Sequence, residues 1–247
     1  MTTPTAPPIT SETRPANSLM RRPAWKVLPP PLENGDRLSR RAFEERYAAR
    51  PHLKKAELVE GVVYMSSPVR FASQADPPSQ IVTWIGTYRA FTPGITAGDN
   101  ATLKLDPDNE VQPDVVLRLE PEQGGRSRLD AGDYLEGAPE LAVEIAASSA
   151  AIDLTDKLKI YRRNGVQDYI VWPVYDERVY WFHLHEGDYV ALTPDAAGLL
   201  HSQVFPGLWL NVKALLEEDL ATVLADLQKG LATEEHRAFV ERLRPTA

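Results

Sequence analysis

One short run of small and branched apolar residues constrains this chain more than any other feature, because it admits a carboxylate. Residues 141–149 read LAVEIAASS. The composition is that of a buried strand, yet Glu144 stands in its middle. If 140–146 is a strand, Leu141, Val143 and Ile145 point to one face while Ala142, Glu144 and Ala146 point to the other, since successive side chains alternate. The acid is then flanked on its own face by two alanines, which leave room above it for a metal ion, water and a substrate. A buried acid in tight apolar packing would instead be costly without a partner.

The chain around this strand alternates strand-like and helix-like segments. SRRAFEERYAAR, with Ser39 as N-cap and Phe43 and Tyr47 four apart, predicts a short helix. AELVEGVVYMSS predicts a hairpin turning at Glu60-Gly61. SQIVTWIGTYRAF carries Ile81, Trp84, Ile85 and Tyr88 at helical spacing, with Ser79 as its expected cap. ITAGDNATLKL reads as a strand with a turn, DPDNE as a loop and VQPDVVLRL as a strand. Residues 120–139 hold too many turn residues for regular structure. After the central strand, residues 148–165 predict a capped helix stopped by Asn164-Gly165. QDYIVWPV is a strand, and RVYWFHLHEGDYVAL is a hairpin turning at residues 186–188. From Val212 onward the pattern is helical, with Thr233 as a second N-cap.

The expected organisation is therefore a Pro-rich disordered tail over 1–36, a main domain over 37–212 and a helical C-terminal extension over 213–247. The fold class is α+β, a mixed sheet flanked by helices. No stretch approaches the roughly 20 apolar residues of a membrane span. No compact apolar run marks an export signal, so a cytoplasmic protein is expected. The absence of cysteine excludes disulfides, thiolate metal sites and cysteine nucleophiles. A net charge of -8 argues against a protein that coats nucleic acid indiscriminately. It leaves room for a nucleic-acid enzyme that gathers carboxylates around a metal, with basic residues between Arg21 and Lys55 either steering a substrate or forming a solvated face.

A second acid stands at the mouth of an earlier strand, in QPDVVL. Pro113 favours a strand start, so Asp114 is the first side chain presented there. Carboxylates on neighbouring strands can hold a hard divalent cation. On the helix after Glu144, Asp153, Lys157 and Tyr161 are four apart and share a face, and an ammonium turned toward the strand would offset charge on a reacting phosphate. On spacing alone, Asp114 and Glu144 read equally as a metal site or as two acids satisfied by Arg or Lys. For Lys157 the alternative reading is an ordinary surface i, i+4 partner of Asp153.

The ordered series AELVEGVVYMSSP, QPDVVL, GAPELAVEIAASS, DLTDKLKIYRRNGVQDYIVW and FPGLWL resembles the Uma2 family of the PD-(D/E)XK nuclease superfamily, from roughly Glu44 to Leu216. The resemblance implies a restriction-endonuclease-like fold and a metal-dependent endonuclease acting on DNA. It assigns Asp114 and Glu144 to Mg²⁺ or Mn²⁺, Lys157 to transition-state charge, and Glu57 to an acid position near the family's start. The chain departs from the strict superfamily triplet, because the residue two past Glu144 is Ala146. Lys157 must then reach the site from the helix. A homodimer is a natural expectation for an enzyme that cuts two strands.

Other features read more plainly as structure. His183 and His185 alternate on a hairpin without a further ligand nearby. GGRSR lacks the strand-to-helix setting of a phosphate loop. Trp172, Trp181 and Trp209 fit a core. The rival to a nuclease is a catalytically weak or inactive member that binds nucleic acid, or a protein partner through its C-terminal helices.

Overall fold

Turn and cap chemistry places most elements where the sequence predicts them. The computed structural model of the protein describes residues 28–65, 76–147 and 149–244. Most of the expected tail, residues 1–27, lies outside these, as does the segment 66–75. Helix α1 (Arg40–Ala48) begins at Ser39, whose Oγ accepts from Ala42 N, and its Phe43 and Tyr47 rings lie 5.5 Å apart. Strands β1 (Ala56–Val59) and β2 (Val62–Met65) form the expected antiparallel hairpin. Glu60 and Gly61, with φ of 52° and 71°, turn it in the primed geometry that matches strand twist.

Helix α2 (Asp76–Ala90) starts earlier than predicted. Ser79 therefore lies inside its first turn, donating to the Asp76 carbonyl at 2.7 Å, and does not cap it. Strands β3 (Ile95–Asp99), β4 (Leu103–Asp106), β5 (Asn109–Val111) and β6 (Val115–Leu119) follow. The long segment after β6 carries two short strands, β7 (Arg128–Leu129) and β8 (Leu135–Glu136). Next come β9 (Leu141–Ala146) and a helical run of α3 (Ala150–Ile152), a π-helical turn (Asp153–Lys157) and α4 (Leu158–Asn164). Strands β10 (Asp168–Pro173), β11 (Tyr180–His185) and β12 (Asp188–Ala191) complete the hairpin region. A further hairpin, β13 (Leu199–His201) with β14 (Trp209–Asn211), went unread in the sequence because its strands are short.

The fold is α+β, as expected, but besides the β13–β14 hairpin the strands divide between two six-stranded sheets. One runs β2-β1-β5-β4-β8-β7 and the other β12-β11-β10-β9-β6-β3. The strand-turn-strand segment 95–106 is thus split, with β3 pairing β6 and β4 joining the other sheet. The chain crosses between the sheets again at Gln112, Pro113 and Asp114, between β5 and β6. This crossing sets the site.

The alternation predicted for the central strand holds. Leu141 and Val143 of β9 join one core with Val115, Leu117, Ile170 and Trp172, whereas Ala142 joins a second core with Val116, Tyr169 and Val171. The first core is closed by α2 and by the C-terminal helices α5 (Val212–Leu216), α6 (Leu220–Leu231) and α7 (Glu234–Leu243). Val223, Leu227, Leu231, Phe239 and Leu243 all belong to it, so the extension is part of the main core. Gly230 permits this, since a Cβ there would lie 2.3 Å from the Gly207 carbonyl oxygen.

His236 of α7 pins this packing from inside the core, at 4% exposure. Its Nδ1 lies 3.0 Å from the Leu231 carbonyl and its Nε2 2.9 Å from Thr92 Oγ1. A carbonyl only accepts, so Nδ1 carries the proton, and the single hydroxyl proton of Thr92 is shared between Nε2 and the Tyr88 carbonyl, also 2.9 Å away. Burial holds the ring's pKa below 6.5. The stability that follows is present above pH 6.5 and is lost as pH falls toward the lowered folded value, because only the unfolded ring takes up the proton. Thermal melts between pH 8 and 5.5 should show this decline, and His236→Leu should flatten it.

Candidate functional site

Two strands and one helical turn deliver the site. The register Val115↔Val143 of β6 against β9 sets Asp114 beside Glu144 on the face that also carries Ala142. Asp114 is fixed there by the Ile145 N–H, which donates to its Oδ2 at 2.7 Å. Glu57 arrives from the other sheet on β1, and its Oε1 accepts from Gln112 N at 2.7 Å. The crossing segment 112–114 therefore ties the acids of the two sheets together.

The π-helical turn brings the cation. Lys157 Nζ donates to Glu57 Oε1 and to Glu144 Oε1, each at 2.9 Å, and lies 3.4 Å from Asp153 Oδ1. One helical turn on, Tyr161 Oη donates to Glu144 Oε1 at 2.8 Å. The widened turn is a common device at functional positions. At the edge of the cluster Lys55 Nζ stands 3.4 Å from Asp114 Oδ1. Glu144 and Lys157 are each only 3% exposed, so these contacts operate in a low-dielectric setting.

Four carboxylates thus face two ammonium groups. Burial pushes Glu144 up to about 8, with attraction to Lys157 offsetting only part of this and the neighbouring acids adding to it. Burial raises Asp153 as well. Burial also works against the charge of Glu57, but Lys157, Lys55 and the Gln112 N–H outweigh it and hold that acid below the ordinary carboxylate value. For Lys157, burial disfavours the ammonium, yet Glu144, Glu57 and Asp153 keep it charged well beyond the ordinary lysine range. Within the cluster Glu57 is held ionised, Glu144 keeps its proton near neutrality and Lys157 is a locked cation.

Two stability results follow for the metal-free protein. Lys157→Met should cost about 3–5 kcal/mol in urea denaturation, because it strands buried acids without their partner. Glu144→Gln should gain on the wild type as pH rises from 4.5 toward 8, since the unfolded acid ionises through that window while the folded one keeps its proton. Parallel melts at pH 5 and pH 8 check the sign.

The donor set suits a hard divalent ion, being made of carboxylate oxygens. Both donors to Glu144 use Oε1, and no hydrogen bond among the described residues uses its Oε2. Among the described residues no group of three His, Cys, Asp or Glu side chains converges as a ready cage. Asp114 and Glu144 alone would offer an ion two carboxylates, the number by which Mg²⁺ is commonly held.

All four residues named from the sequence, Glu57, Asp114, Glu144 and Lys157, come together. Asp153 and Tyr161, read only as sharing a helical face with Lys157, join them. Lys55 was counted within a basic stretch and not as a site residue. Its signal was its place two residues before Glu57. Much of that basic stretch is internally paired, as in Arg40–Glu44, Arg41–Glu45 and Arg46–Asp36. His183 bonds buried Asp168 through Nδ1 at 2.8 Å and stands apart from any metal cluster among the described residues. In GGRSR, Arg126 reaches the Gly165 carbonyl and Arg128 pairs with Glu136. Trp172 and Trp181 are core residues.

The sheets and their flanking helices define an α+β class. The chain is similar to the crystal structure of a putative nuclease belonging to DUF820 from Anabaena variabilis, with 16% identity and a TM-score of 0.50, covering 66% of this chain and 89% of that one. At that identity the likeness speaks for the fold. No curated protein sequence matches the chain. The chain belongs to the Uma2 family, described as "Putative restriction endonuclease", whose sequence model matches residues 41–213. Among the described residues no helix is long and apolar enough to cross a membrane.

Proposed function

We propose that the protein is a metal-dependent endonuclease of the PD-(D/E)XK type that hydrolyses phosphodiester bonds in DNA. One observation carries the reading: in a chain of a restriction-endonuclease family, Asp114 and Glu144 stand side by side where two sheets meet, with a buried ammonium 2.9 Å from Glu144. Asp114 and Glu144 are the residues that would hold Mg²⁺ or Mn²⁺. A bound ion of that kind polarises the scissile phosphate and acidifies a water.

The chain's own residues prepare that chemistry. The Ile145 N–H orients Asp114, and Tyr161 and Lys157 orient Glu144 by gripping one of its oxygens. Glu57, held ionised by Gln112 and the lysines, balances Lys157 from the opposite sheet. Ala142 and Ala146 keep the surrounding face free of bulk. Lys157 holds Glu57 and Glu144 together from the helix, where the triplet position, Ala146, offers no lysine.

Purified full-length protein should nick or linearise plasmid DNA with Mn²⁺ or Mg²⁺. Asp114→Asn and Glu144→Gln should each lose several kcal/mol of transition-state stabilisation, which is more than about a hundredfold in rate, while keeping their fold by circular dichroism. Cleavage that survives both substitutions would contradict the assignment.

A second reading, a weak or inactive nuclease fold that serves as an interaction module, draws on the ammonium already lodged between Glu57 and Glu144. It predicts binding of nucleic acid or protein that is indifferent to both substitutions. Deleting 213–247 would be a poor test of it, because Val223, Leu227 and Phe239 are core residues. Charge reversal on the exposed faces of α6 and α7 is the cleaner one.

A further inference from the structure

Two ammonium groups border Asp114 and Glu144, and they differ in what each is free to do. Lys157 is enclosed, with a side chain 4% exposed and three carboxylates within 3.4 Å. Two of its N–H groups donate to Glu57 and Glu144, Asp153 adds charge contact at 3.4 Å, and reaching outward would strand these acids in the interior. Lys55 is the opposite case. Its side chain is 23% exposed, and among the described residues its one ion-pair partner is Asp114 at 3.4 Å. It lies just before β1, two residues from Glu57, and feels the charge of that acid as well as that of Asp114. A single carboxylate leaves two of its donors for another anion.

Resting on the nuclease reading, we infer that Lys55 is a catalytic residue, the ammonium that contacts the scissile phosphate beside Asp114, and that Lys157 is a positioning residue acting through Glu57 and Glu144. In hydrolysis the water oxygen forms one bond to phosphorus and the bond from phosphorus to the leaving sugar oxygen breaks. One water proton ends on that sugar oxygen, and the other is shared with the phosphate product or solvent. Between the two states extra negative charge gathers on the non-bridging oxygens. A part-buried lysine beside Asp114, with N–H donors still to spare, meets that charge directly. No group at the position two past Glu144 can do so, since that residue is Ala146.

The experiment uses the full chain as wild type, Lys55→Met, Lys55→Arg and Lys157→Gln. Binding of a labelled DNA duplex is followed against salt concentration without divalent ions, and single-turnover cleavage is followed with Mn²⁺. A lost phosphate contact lowers the slope of log K against log salt by about one. Lys55→Met should show that drop and at least a tenfold slower cleavage with an unchanged melting midpoint, and Lys55→Arg should restore the slope and part of the rate. Lys157→Gln should keep the wild-type slope while losing midpoint and rate together. If Lys157→Gln does not fold, the two Lys55 variants decide the matter alone. Wild type that cuts while Lys55→Met keeps both slope and rate overturns this inference and leaves the nuclease reading standing. Wild type that neither binds nor cuts overturns both.

Discussion

The ammonium of Lys157, shared at 2.9 Å by Glu57 of one sheet and Glu144 of the other, is the contact on which the rest of the site depends. It reconciles two requirements that conflict. The sheet face must be small and apolar for the strands to pack, and the site must gather negative charge. A single internal cation lets three acids stay buried at spacings that charge repulsion would otherwise forbid. The π-helical turn places Lys157 there, and the crossing at Gln112–Asp114 presents the acids to it.

That dependence explains why the cluster is uneven. Glu57 accepts a backbone N–H and sits between two lysines, so it stays ionised. Glu144 lies deeper against Asp153 and Asp114, so it keeps its proton to about 8. Two acids in one cluster thereby differ in protonation near neutrality, which is the condition a site needs if one group is to hold structure while another responds to a ligand. The helices at the C-terminus take no direct part in this. They close the opposite face of the same sheet, with Leu227 and Phe239 in its core, and so stiffen the strands that carry Asp114 and Glu144.

Much of the site was legible in the sequence because alternation along 141–146 and four-residue spacing along 153–161 are short-range signals. Those periods put Glu144 on an open strand face and Asp153, Lys157 and Tyr161 on one helical face, while the family resemblance singled out Asp114, Glu144 and Lys157. The division into two sheets was not legible, since it depends on which partner each short strand finds, and β3 and β4 carry no mark of parting company. Ser79 misled for a local reason: it has the chemistry of a cap, but Asp76 three residues earlier begins the helix. Lys55 went unread because its partner, Asp114, is 59 residues away, and no local pattern links them.

The most direct test of the account is a calorimetric titration of Mn²⁺ into the metal-free protein at pH 7, run in buffers of different ionisation heat, for the wild type and Glu144→Gln. If Glu144 is a ligand that must first give up its proton, the wild type binds the ion with release of protons, and the variant binds far more weakly and without that release. Equal binding by both proteins, or no binding by the wild type, would contradict the claim that the buried carboxylate of 141–149 is there to hold a metal.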